Sequence, residues 1–274
     1  MKIDLSINTD LTRKILTGFI SSEIARAGYS RAVINLSGGL DSSVSCALAA
    51  EALGGANVLA LRLPYKSSSA DSLEHAQLII DQFKLQALTL PITEMADPLI
   101  NTQPDMSPVR KGNIMARLRM IVAYDQSEAF KGLVVGTGNK TEILLGYTTL
   151  YGDSACAINP LGDLYKTQVR QVARSLAIPE EILAKPPSAD LWLGQTDEGE
   201  LGFAYEDVDK LLFLLVDQRF RPEEVVEAGF AEPFVRRVIE RIRRNRFKSI
   251  MPPVAKLSSR SVGSHFLNLR DWGT

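Results

Sequence analysis

The sequence predicts an α/β fold: a doubly wound, mainly parallel sheet flanked by helices. Two observations carry that expectation. Short apolar, β-branched runs alternate with amphipathic helical segments in the first half of the chain, the pattern of successive βαβ units. The first run also ends on Gly38-Gly39, immediately before a helical segment.

Ala32-Val33-Ile34-Asn35-Leu36 reads as the first strand, and Leu40, Val44, Ala47 and Leu48 then recur at helical spacing. Val58-Leu59-Ala60-Leu61 is the second strand, followed by a Ser-rich loop, a helix over 72–83 and a third strand at Leu88-Thr89-Leu90. Residues 113–130 read as a helix with apolar side chains at 114, 115, 118 and 120–124, broader than the roughly 100° stripe that one core contact needs. Such a helix is covered on two sides, by a symmetric dimer or by a central position within the monomer. A fourth strand runs over 133–137. The stretches 97–112 and 185–200 are rich in Pro, Ser, Gly, Asp and Asn without periodicity. They read as mobile covers, since loops longer than about 12–15 residues are often lids. Ligands of such a sheet bind at its carboxyl edge.

At 274 residues the chain suits one large domain, with a helical and loop elaboration from about residue 205. Hydrophobic residues make up 45% and charged residues 23%, which favours a packed core over disorder. A net charge of −1 gives no global field for nucleic acid or an anionic membrane. No run approaches the roughly 18–20 apolar residues of a membrane span, and residues 1–16 lack an export signal. The two cysteines, Cys46 and Cys156, make neither a disulfide framework nor a zinc cluster, which fits a reducing cytoplasm. The basic stretch with Arg236, Arg237, Arg241, Arg243, Arg244, Arg246 and Lys248 alternates with Val235, Val238, Ile239 and Ile242. It reads as an amphipathic helix with a solvated basic face, use on substrate phosphates being the next choice.

Ser37-Gly38-Gly39-Leu40-Asp41-Ser42-Ser43 lies between a strand and its helix, where glycines turn backbone N–H groups toward an anion and the helix N-terminus adds partial positive charge. Phosphate suits that seat. The loop holds no Lys and no G-x-x-x-x-G-K-[ST] pattern, so it is not a Walker A site. A carboxylate beside phosphates repels them unless a hard cation such as Mg²⁺ intervenes, which makes Asp41 a metal-ligand candidate. The bland reading is a turn with Asp41 as a helix cap.

The septet resembles the S-G-G-x-D-S signature of the N-type ATP pyrophosphatases, which cleave ATP between its α and β phosphates. Further along come Gly112-Asn113, Ala116-Arg117-Leu118-Arg119-Met120, Gly136-Thr137 with Glu142, and Tyr151-Gly152-Asp153. Asn159-Pro160-Leu161, Lys166, Lys185-Pro186-Pro187-Ser188-Ala189-Asp190-Leu191 and Asp197-Glu198 follow. Together, from about Ala32 to Val208, this ordered set resembles the ammonia-dependent NAD synthetases. The resemblance implies a Rossmann-like fold of the adenine nucleotide alpha hydrolase type and an AMP-forming ligase. That enzyme would convert nicotinate adenine dinucleotide to NAD with ATP, Mg²⁺ and ammonia, as a homodimer.

By the same resemblance, Asp41 and Glu142 are the Mg²⁺ ligands. Ser37, Gly38, Gly39, Leu40, Ser42, Ser43, Arg62, Thr137, Lys166 and Ser188 contact ATP. Arg117 and Lys248 fall at positions for the deamidated substrate, which Asn113, one turn before Arg117, could address from the same helix face, and Asp153 lies near the ammonia. On a helix Asn113 and Arg117 share a face. Physically, Lys166 would offset phosphate charge, and a carboxylate at 153 would receive a proton from ammonium. Glutamine-using relatives carry a glutaminase domain, for which the region before Ala32 is too short; free ammonia or a separate amidase would supply nitrogen.

The chain departs from the family pattern at Leu150, where Lys is frequent, at Ala157, where Asp is frequent, and at Phe247-Lys248, where His-Lys is frequent. All three departures fall at deamidated-substrate positions. Nicotinate mononucleotide is therefore a rival substrate. A tRNA thiolase would need a reactive cysteine, for which only Cys156 qualifies. A regulatory nucleotide-binding module would not need Asp41 with Glu142.

Overall fold

The computed structural model describes residues 3–188 and 195–257. Helix α1 (Thr9–Arg26) leads into β1 (Ala32–Asn35), α2 (Leu40–Leu53), β2 (Val58–Arg62), α3 (Ala70–Phe83) and β3 (Gln86–Thr89). Then come α4 (Thr93–Ile100), α5 (Pro108–Phe130), β4 (Leu133–Val134) and α6 (Lys140–Leu145). The later elements of the described chain are α7 (Lys166–Ser175), α8 (Glu180–Ala184), α9 (Asp197–Leu201), α10 (Tyr205–Leu212), α11 (Pro222–Glu227) and α12 (Glu232–Asn245).

The four strands form a parallel sheet in the order β3-β2-β1-β4, with Val33 in register with Leu59 and Val134. Because side chains alternate along a strand, Ala32, Ile34, Val58 and Ala60 enter one core with Ile20 and Ile24 of α1, Leu48 of α2 and Val169 of α7. Val33, Leu59 and Leu61 enter the opposite core with Ile92, Met115 and Val122. Helices thus cover both faces of the sheet. A third cluster, built by Leu145, Tyr165 and α10 to α12, lies apart from both. The chain leaves β1 toward β2 on one side and meets β4 on the other, so the reversal of strand order falls between β1 and β4, where such sheets bind ligands.

Three expectations are corrected. The fourth strand is paired only over Leu133–Val134, and a single parallel bridge from Val135 to Ile158 extends it. The stretch 97–112 is mostly helical, since α4 continues to Ile100 through Pro98 and α5 starts at Pro108 with Ser107 capping it. Ser107 and Pro108 act there as helix-start residues rather than loop markers. Within one chain α5 buries Met115, Ala116, Val122 and Ala123 on one side while Ile121 and Tyr124 stay exposed, so it is not a central helix. Of the stretch 185–200, residues 189–194, including Ala189, Asp190 and Leu191, lie outside the described residues; α9 begins at Asp197.

Candidate active site

After β1 the chain turns through Ser37, Gly38 and Gly39 into α2. Gly38 has φ +77°, and a Cβ there would stand 2.1 Å from the carbonyl oxygen of Ser72, so only glycine lets the first turn of α3 pack on the loop. The Ser37 and Ser42 hydroxyls are 3.0 Å apart, and the Ser42 and Ser43 hydroxyls donate to the Gly39 carbonyl at 3.1 and 2.8 Å. Gly39 gives α2 no side-chain cap, which leaves its first amides for an anion. Ser37, Gly39, Leu40, Asp41 and Ser42 line a cavity of about 870 Å³, the size of a small-molecule site. Gly38 and Ser43 shape the loop from outside that lining; Ser43 is fully buried.

Across the switch point, α6 begins with a reciprocal cap. Asn139 Oδ1 accepts from the Glu142 amide at 3.0 Å, and Glu142 Oε2 accepts from the Asn139 amide at 3.2 Å. This fixes Glu142 against Asp41, whose Oδ1 accepts from Asn139 Nδ2 at 3.1 Å. Lys166, the first residue of α7, donates through Nζ to Asp41 Oδ2 and to Glu142 Oε1, the latter at 3.3 Å. Burial acts to lower the Lys166 pKa, but the two carboxylates outweigh it and hold the ammonium charged. Burial pushes Glu142 well above the usual carboxylate range, against the pull of Lys166, and Asp41 and Asp197 push it further. Asp197, itself buried, accepts from the hydroxyls of Tyr147 and Tyr205 at 3.1 Å each.

Asp41, Glu142 and Asp197 thus crowd one ammonium. Among the described residues no group of three or more His, Cys, Asp or Glu is arranged to hold a metal on protein ligands alone. Two carboxylates with excess negative charge fit Mg²⁺, which characteristically takes one or two carboxylates and completes its shell with water and substrate phosphate.

Thr137 and Ser188 line the same cavity, as does Arg62, whose Nη1 donates to Gln77 Oε1 at 2.6 Å. Arg62 is half-buried, not a freely exposed strand-end residue. Asn113 lines the cavity and accepts from Thr149 Oγ1 at 2.9 Å. Arg117 does not join it: exposed, it donates to the Leu150 carbonyl at 3.2 Å and stands outside the lining. Asp153 sits at the rim, accepting from Thr148 Oγ1 at 2.8 Å and the Thr149 amide at 2.7 Å. Lys248 lies nearby and donates to the carbonyls of Gly146 and Thr148 at 2.9 and 2.8 Å.

Neither cysteine is a nucleophile in waiting. Cys46 is fully buried and Cys156 lies outside the lining, with both thiols pushed up by burial. The basic face of α12 is not simply solvated, because Arg237, Arg241 and Arg244 line the cavity. Sequence reasoning passed over Asn139 and Tyr147, and it placed Arg241 in a basic helix face read first as solvated and next as a contact for substrate phosphates. Of the two passed over, only Asn139 left a local signal, its cap spacing to Glu142.

The sequence model of the family described as NAD synthase matches residues 12–252. The chain is 51% identical to an NH(3)-dependent NAD(+) synthetase of Pelodictyon phaeoclathratiforme over 99% of both chains. It is 50% identical to one from Chlorobaculum parvum over 98% of this chain and 97% of the relative. Among solved structures, NMN synthetase from Francisella tularensis superposes with a TM-score of 0.81 at 31% identity, covering 91% of this chain and 99% of that one. The NH3-dependent NAD synthetase from Campylobacter jejuni, in complex with the nitrate ion, gives 0.78 at 30% identity over 91% and 100%.

Proposed function

The chain belongs to the NAD synthase family, and from that membership we propose that it amidates nicotinate adenine dinucleotide to NAD with ATP and ammonia, releasing AMP and pyrophosphate. The observation that carries the chemistry is the meeting of Asp41, Glu142 and Lys166 in one cavity, from positions 125 and 24 residues apart in sequence from Lys166. The names of the full-length relatives support the substrate.

In this reading the amides at the start of α2 and the hydroxyls of Ser37 and Ser42 hold the β and γ phosphates. Asp41 and Glu142 would hold Mg²⁺, whose charge offsets that of the triphosphate. Lys166 adds a fixed positive charge, Arg62 borders the adenine, and Thr137 and Ser188 give hydroxyl contacts to ATP. The nicotinate carboxylate attacks the α phosphorus, and the bond to the bridging oxygen of pyrophosphate breaks. Asp153 receives a proton from ammonium, and the amine attacks the acyl carbon of the adenylate and expels AMP. The cavity shelters the adenylate from water. Asn113, Arg117 and Lys248 serve the nicotinate substrate. A cytoplasmic homodimer fed by free ammonia or a separate amidase completes the reading; no helix of the described residues is long and apolar enough to cross a membrane.

A second reading is amidation of nicotinate mononucleotide. It is favoured by the likeness to an NMN synthetase and by the departures at Leu150, Ala157 and Phe247. The test is ATP- and ammonium-dependent AMP formation with each nicotinate nucleotide. A higher kcat/KM for the dinucleotide supports the first reading, a higher value for the mononucleotide replaces it with the second, and turnover of neither sinks both.

A further inference from the structure

Helix α12 carries arginines that the mechanism above leaves unused. Arg237, Arg241 and Arg244 recur at intervals of four and three residues, so they share one flank of the helix, and all three line the cavity. Among the described residues none of the three has a carboxylate within ion-pair distance, whereas Arg236 on another flank pairs with Glu232.

Arg241 is the most constrained of them. It is half-buried, its guanidinium carbon lies 5.6 Å from the centre of the Tyr147 ring, and its Nε is shut off from water with no hydrogen-bond partner among the described residues. The Tyr147 hydroxyl is tied to Asp197 and Glu200, so the ring against which Arg241 rests is itself anchored beside the Lys166 cluster. A guanidinium keeps its charge under these conditions, and a desolvated N–H without an acceptor is unfavourable until one arrives. Beside it, Lys248 has two of its three Nζ protons engaged by backbone carbonyls.

We propose that Arg241, flanked by Arg237 and Arg244, seats a phosphate group of the nicotinate nucleotide, in a subsite distinct from the triphosphate seat at the glycine loop. This rests on the amidation reading. The ATP phosphates already have the α2 amides and Lys166, while Arg241 rests on Tyr147 and lies close to Lys248, which donates to the Thr148 carbonyl and lies close to Asp153, on the side where the acyl substrate would meet ammonia. A guanidinium fork matches two phosphate oxygens, which an ammonium at the same place does not.

The test compares Arg241→Met, Arg241→Lys and Arg244→Gln with the parent enzyme. KM and kcat are measured separately for nicotinate adenine dinucleotide and for ATP, and dinucleotide binding is measured by calorimetry without ATP. For Arg241→Met the dinucleotide KM and Kd rise at least about tenfold, the scale of a lost charge-assisted pair, while the ATP KM stays within about twofold. Arg241→Lys falls between, and Arg244→Gln, on an exposed position that the fold tolerates, gives a smaller rise of the same kind. An unchanged dinucleotide KM and Kd in a folded Arg241→Met overturns the proposal, as does a rise in the ATP KM instead. Failure of the amidation reading shows in the parent enzyme, which would then turn over no nicotinate nucleotide; failure of this proposal shows only in the variants beside an active parent.

Discussion

Gly38 is where backbone conformation and the phosphate seat meet. Its φ of +77° lies in the region that favours glycine, and the Ser72 carbonyl leaves no room for a Cβ. Gly38→Ala therefore strains the backbone by about 1–3 kcal/mol and separates the loop from α3. The thermal midpoint falls and the KM for ATP rises, while the KM for the nicotinate substrate moves little. A melt and an ATP KM equal to those of the parent would mean that the loop is not clamped by Ser72. At this scale much of the site was legible. The Ser-Gly-Gly turn and Asp41 follow from local chemistry, and Glu142 and Lys166 from the ordered motifs. Arg241 was read first as part of a solvated helix face and only next as a phosphate contact, because helical periodicity reveals an apolar stripe and does not say which polar flank faces a cavity.

Asp41, Glu142 and Lys166 all lie in the first turns of their helices. Lys166 opens α7, and the N-terminal amides there are capped from other helices. The Lys166 amide donates to Thr141 Oγ1 at 3.0 Å, the Thr167 amide to Asp209 Oδ2 at 2.8 Å, and Thr141 Oγ1 to Asp209 Oδ1 at 2.6 Å. Asp209 is fully buried on α10 and outside the cavity lining, so α10 holds the start of α7, and with it Lys166, in place from behind. Asp209→Ala leaves these donors unpaired, at about 1–3 kcal/mol or more of stability. In protein that remains folded, kcat falls and the KM for ATP rises; Asp209→Asn, which keeps an acceptor, recovers part of both. A folded Asp209→Ala with parental kinetics would reduce the network to a purely structural cap. Strands β1 to β3 were legible because their β-branched runs are bounded by turn residues. Helix α4 was not, because Pro98 lies inside it and residues 93–100 are too few to display a period.

Across the whole molecule, α5 is the element whose sequence asks for more cover than one chain provides. Its inner side is buried against β1 and β4, yet Val109, Ile121 and Tyr124 are 62%, 56% and 42% exposed. Arg117, Ile121 and Tyr124 follow one another at intervals of four and three residues, so they share a stripe. Arg117, Ile121 and Tyr124 stand outside the cavity lining, which the same face of α5 reaches only nearer its start, through Val109 and Asn113. A two-fold axis along it would bury the apolar residues and give Arg117 surroundings other than open solvent. Ile121→Glu places a charge in that stripe without touching the cavity. Sedimentation velocity at micromolar concentration is expected to show a dimer for the parent chain and a monomer for the variant. If Arg117 serves the nicotinate substrate, its KM rises with dissociation while the KM for ATP, set by the glycine loop and Lys166 within one chain, is retained. A parent chain that sediments as a monomer would leave the stripe without a twin and remove the dimer from the reading. A dimeric parent whose monomeric variant keeps both KM values would instead place Arg117 outside the substrate's reach.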